Sequence, residues 1–116
     1  MVFIESKVFT KRLKELAGEV WHEVFQALQE DLLDNPDRGR MVQGLGGVRK
    51  ARVENPGRGK GKRGGYRYLY LYLSNRSHVH LLYLLDKNEQ EDLAADDRKR
   101  LRALVAQLKA AGGLNG

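Results

Sequence analysis

The sequence predicts an α+β domain: an antiparallel sheet of about four strands, two N-terminal helices packed on it, and a C-terminal helix. Two observations carry this. The apolar period changes from helical spacing before residue 35 to alternation after residue 47, and a run of strands with helices on a face is an α+β architecture. The chain of 116 residues, 41% hydrophobic, is long enough for one domain and too short for two, so residues 1–116 are read as a single unit.

In order, Val2 to Glu5 form a short strand. Ser6 caps a helix in which Phe9, Leu13 and Leu16 recur on one face, and Gly18 breaks it. A second helix runs from about Glu19 to Asp34, with Val20, Val24, Ala27, Leu28 and Leu32 inward and Trp21 and Phe25 widening that face. Asn35-Pro36-Asp37-Arg38-Gly39 is a turn. Val48 to Val53 has β character with charges on both faces. Tyr66 to Leu73 alternates, Tyr66, Tyr68, Tyr70 and Tyr72 on one face and Arg67, Leu69, Leu71 and Leu73 on the other. Ser74 to Ser77 turns into a last strand, His78 to Leu85, apolar on both faces. Asn88 caps a short helix, and a final helix spans about Asp96 to Ala111, ended by Gly112-Gly113. The first strand is expected to join the sheet, giving β-α-α-β-β-β-α.

Composition excludes several classes. There is no apolar run long enough to span a bilayer. The apolar stretch at the start is too short for a signal peptide. The absence of cysteine removes disulfides and thiolate metal sites, so a reducing cytoplasm is the simplest home. No cofactor or metal is expected, since no carboxylate or histidine cluster has ligand spacing.

Net charge is +6, and its distribution is uneven. The window from Arg40 to Arg67 holds nine bases and one acid, Glu54, while the rest of the chain is slightly acidic. Concentrated positive charge attracts polyanions. Within the window, Gly59, Gly61 and Gly64 match the glycine spacing of a dinucleotide loop. That reading fails because the loop joins two strands, whereas the fingerprint needs a helix N-terminus at the phosphate. A cationic arm against a nucleic-acid backbone fits better: Arg58, Lys60, Lys62 and Arg63, with Arg49 nearby, are the expected RNA contacts, and Tyr66, beside the loop, the best stacking candidate.

Lys50 and Arg52, two apart on a strand, share a face. If their strand pairs with Tyr66–Leu73, Arg67 lies beside them, and Lys87 at the end of the last strand completes the cluster. Like charges opposite one another destabilise a sheet, so such a cluster points to function. It suits RNA cleavage. The 2′-hydroxyl attacks the adjacent phosphorus, charge builds on the phosphate, and fixed cations stabilise it. Crowded cations also depress one another's pKa, so that a lysine can serve as base. His78 and His80 share a face and form an alternative acid–base pair, although interior packing is the favoured reading.

Three blocks together resemble the HigB branch of the RelE-type toxins: Gly46 to Arg52, Gly57 to Tyr70, and Leu84 to Leu93, in that order and spacing. The resemblance covers about residues 2 to 110. It implies the toxin of a bacterial type II toxin–antitoxin pair that enters the ribosomal A site and cuts messenger RNA. Carried over by position, the catalytic residues are Lys50, Arg52, Arg67 and Lys87. Relatives with a tyrosine or histidine near the C-terminus use it as acid or stacking group. This chain has neither after Tyr83, leaving Arg67, Lys87 or water to protonate the leaving oxygen. The expected partners are a cognate helix-turn-helix antitoxin, the ribosome and mRNA, with no membrane and with DNA met only through the antitoxin. The fold also serves ParE-like gyrase poisons, whose relatives tend to lack the cationic trio. A non-catalytic nucleic-acid-binding module is the third reading, because gripping and catalysis use the same residue types.

Overall fold

The computed structural model describes residues 1–56, 65–86 and 93–115, with side chains to residue 111. The loop bases Arg58, Lys60, Lys62 and Arg63, the strand-end Lys87, and the helix expected from Asn88 lie outside the described residues.

Strand β1 (Val2–Glu5) leads into helix α1 (Lys7–Ala17). Ser6 caps α1 as expected, its hydroxyl accepting from Phe9 N at 3.0 Å and donating to the Leu82 carbonyl, also at 3.0 Å. Such a cap contributes about 1 kcal/mol, and here it also ties the helix to the sheet. Gly18, at φ 58°, ends α1, and a single 3₁₀ turn over Gly18–Val20 delays α2 to Trp21–Asp34. The Asn35 side chain accepts from Asp37 N at 3.1 Å, making the turn that its composition predicts.

Then come β2 (Arg40–Met41), β3 (Arg49–Val53), β4 (Tyr66–Leu73), β5 (His78–Asp86) and α3 (Ala95–Asn115). The sheet has five strands in the order β1-β5-β4-β3-β2. Two features correct the expectation of about four antiparallel strands. The two-residue β2, too short to carry a period, pairs antiparallel with β3. The first strand pairs parallel with β5, Val2 standing opposite His78 at the sheet edge. Helix α3 also continues through Gly112-Gly113 instead of stopping there. Glycine weakens a helix by about 1 kcal/mol relative to alanine but does not forbid it.

The sheet is covered on both faces. On one, Phe9, Leu13, Val24, Leu28 and Leu32 of α1 and α2 pack on Val53, Tyr68, Tyr70, Val79, Leu81 and Leu84. On the other, Val105 of α3, with Leu101 and Leu108, packs on Leu69, Leu71 and Leu82 and on Leu45 and Val48 of the β2–β3 connection. Arg98 and Lys109 fasten α3 to that connection by donating to the carbonyls of Gln43 and Gly46, each at 2.7 Å. None of the described helices is long and apolar enough to cross a membrane.

Candidate nucleic-acid interface

Alternation on β3 sends adjacent cations to opposite faces. Ala51 and Val53 join the α1–α2 core, and Arg49 lies on their side. Its guanidinium donates to the carbonyls of Gly39 (2.7 Å) and Asp37 (3.2 Å) and lies 3.6 Å from the Asp37 carboxylate. Arg49, expected as an RNA contact, clasps the turn after α2 to β3.

Lys50 and Arg52 face the α3 side. In the register Lys50 is opposite Leu69 and Arg52 is opposite Arg67. Directly opposed residues share a face, so Lys50, Arg52 and Arg67 stand together. On the outer side, Arg40 of β2 is opposite Lys50. The patch therefore consists of two like-charged cross-strand pairs, Arg40 with Lys50 and Arg52 with Arg67. Arg40 and Arg52 are exposed, and Lys50 and Arg67 half-buried. Among the described residues, no carboxylate pairs with Arg40 or Arg52. Arg40 was not predicted as a site residue. It belongs to the basic window, but nothing in the sequence marks two residues as a strand.

Arg52, Gly65, Tyr66 and Arg67 line a cleft of about 100 Å³. Helix α3 leaves it open among the described residues: its apolar cluster reaches along the sheet to Leu69 and Tyr83, and the next cross-strand row is Arg52, Arg67 and Leu85. Arg12 of α1 reaches the edge of β5 beyond the end of β1, donating to the Leu84 carbonyl and lying 4.6 Å from the centre of the Tyr83 ring.

Tyr66 does not fill the stacking role expected of it. The residue is 2% exposed. Its hydroxyl donates to the Leu16 carbonyl at 3.2 Å and accepts from the Asn55 amide at 3.3 Å. With the ring in the α1–α2 core, no face is offered to a base. Tyr68 and Tyr70 are wholly buried beside it, their rings 5.6 Å apart, and burial pushes both hydroxyls up from the ordinary phenol pKa.

His78 and His80 share the α3 face but sit at the far end of β5. His80 is opposite Leu71, four residues from Arg67 along β4, or about 13 Å at ~3.3 Å per residue. Burial, then His78 and Arg76, pulls the His80 pKa below its usual 6.5. The histidines are therefore remote from the cationic pairs.

A model of the family described as the RelE toxin of the RelE/RelB toxin–antitoxin system matches residues 7–113. The chain belongs to the RelE toxin family. Solved structures agree in fold. An arginine double mutant of the E. coli toxin RelE in the free state has a TM-score of 0.54 at 16% identity, covering 75% of this chain and 83% of that one. A chain of the intact E. coli RelBE toxin–antitoxin complex gives 0.52 at 17% identity, covering 76% of this chain and 98% of that one. The isolated E. coli RelE toxin gives 0.51 at 16%, covering 78% and 87%. In this RelE-family chain the sheet carries its cationic pairs on the face it shares with α3.

Proposed function

We propose that this toxin is a ribosome-dependent endoribonuclease that cuts messenger RNA by attack of a ribose 2′-hydroxyl on the adjacent phosphodiester. The observation that carries the reading is Arg52 directly opposite Arg67 at a cleft that is open among the described residues, with Lys50 and Arg40 on the same face. A sheet evolved only for stability avoids such juxtapositions; a site that receives a phosphate needs them. The bond from O2′ to phosphorus forms as the bond from phosphorus to O5′ breaks, leaving a 2′,3′-cyclic phosphate and a 5′-hydroxyl. Arg52 and Arg67 neutralise the charge that builds on the non-bridging oxygens. Lys50, one cross-strand row away, takes the 2′-hydroxyl proton or grips the next phosphate. The leaving oxygen takes its proton from water, Arg67 or Lys87, the last being assigned by position in the family. Arg58, Lys60, Lys62 and Arg63 supply backbone and ribosomal RNA contacts in this reading. The E. coli relative's structure in a toxin–antitoxin complex supports a cognate antitoxin as partner; cleavage on translating ribosomes, in this reading, makes the cytoplasm the place of action.

Arg67→Ala and Arg52→Ala are each expected to lower translation-dependent cleavage by ~10²–10³-fold and to abolish growth arrest, with the fold intact by circular dichroism. Primer extension on induced cells measures the cuts. Intact transcripts with gyrase-linked DNA breaks would replace this reading with topoisomerase poisoning. Ribosome binding without either activity would leave an inert binding module.

A further inference from the structure

Gly65, at the head of β4, is buried and lines the same cleft as Arg52 and Arg67. Its backbone is not in the left-handed region, so conformation alone does not call for glycine there. Space does. A β-carbon at this position would stand 3.0 Å from Arg52 Nε, 3.3 Å from Arg52 Nη2 and 3.2 Å from the Val53 carbonyl oxygen. The arginine head group thus lies in tighter contact than a β-carbon ordinarily tolerates, and it would have to give by a few tenths of an ångström to admit one.

We infer that Gly65 is a positioning residue, the seat on which the Arg52 guanidinium rests. The inference builds on the endoribonuclease reading. Arg52 has a long, flexible side chain, no carboxylate partner among the described residues, and a like charge directly across from it. Repulsion from Arg67 and rotamer entropy both favour swinging it away. Contact with the bare backbone of Gly65 keeps the planar group at the cleft before RNA arrives, so that little reorganisation remains for the transition state. An alanine methyl crowds that seat and displaces the guanidinium from it, so that Arg52 still attracts RNA but loses its fixed aim at the scissile phosphate.

The test is a double-mutant cycle between Gly65→Ala and Arg52→Lys, assayed on ribosomes programmed with a defined mRNA. Lysine retains charge but lacks the atoms that contact Gly65. With Arg52 present, Gly65→Ala is expected to lower kcat about ten- to a hundredfold with KM within about twofold. In the Arg52→Lys background it should add almost nothing. Equal losses in both backgrounds, or no loss in either, would overturn the inference while leaving the nuclease reading standing. Full activity of Arg52→Ala would instead sink the nuclease site itself. A readout independent of activity is the Arg52 Nε–H resonance in NMR, assigned by its loss in Arg52→Lys. In the full chain carrying Gly65→Ala this resonance should shift and exchange faster with solvent, and an unmoved resonance counts against the seat.

Discussion

Arg49 and Lys50 are neighbours in the chain with different tasks: the first clasps a turn on the core face, the second joins a cationic patch on the other. Strand alternation makes the split readable, and the distribution of charge over both faces is visible in the sequence. What it lacks is the identity of whatever lies against each face. Tyr66 makes the same point. Its place beside a basic loop marks it as a base-stacking residue, but its hydroxyl reaches Leu16, fifty positions away, a contact no local pattern encodes. Tyr66→Phe should therefore cost about 1 kcal/mol of stability, the net value of a typical buried hydrogen bond, and leave RNA affinity unchanged. Urea denaturation and ribosome pelleting together distinguish this from a stacking role, in which affinity would fall and stability hold.

At the scale of elements, the eight-residue alternation of Tyr66–Leu73 and the short strand Val2–Glu5 were legible, and both occur as expected. β5 hid a detail. In a uniform strand Leu82 and Leu84 would continue the face of His78 and His80. The register instead jumps, Leu69 opposing Tyr83 while Tyr70 opposes Leu81, so Leu82 is an extra residue and Leu84 turns to the α1–α2 core. A strand apolar on both faces gives no sign of such a bulge. β2 was invisible for a different reason, being held by packing more than by propensity. A β-carbon on Gly39 would sit 2.8 Å from the Lys50 carbonyl oxygen, a backbone atom with little room to move. Gly39→Ala should push β2 off β3, lower stability by about 1–3 kcal/mol as overpacking does, and carry Arg40 out of the patch. Thermal melts and RNA-binding titrations would register both effects, and a variant as stable as the parent would contradict the tight approach.

For the whole molecule, the α+β class, the helical pair on one face and the family resemblance were all available from the sequence, because they depend on periodicity and on motif order. The parallel seating of the first strand was not, since it pairs residues 76 positions apart, Val2 with His78, which no local period encodes. Acid sensitivity is another property of the assembled fold. Folding lowers the His80 pKa below 6.5, so on acidification the unfolded chain takes up that proton first. The contribution of His80 to stability is complete above about pH 6.5 and is lost as pH falls below it. The melting temperature should drop between pH 7.5 and 5.5, and His80→Gln should flatten that drop. An unchanged pH profile in the variant would assign the sensitivity elsewhere.

The parallel pairing of Val2–Glu5 with His78–Leu81 has a consequence for biosynthesis. Val2–Glu5 completes its hydrogen bonds only against a strand that lies 76 positions further along the chain. While the chain is being translated, the sheet lacks its penultimate member and the leading strand has nowhere to dock. Val2–Glu5 therefore docks only after the His78–Asp86 strand has emerged, and this edge of the sheet closes late in synthesis.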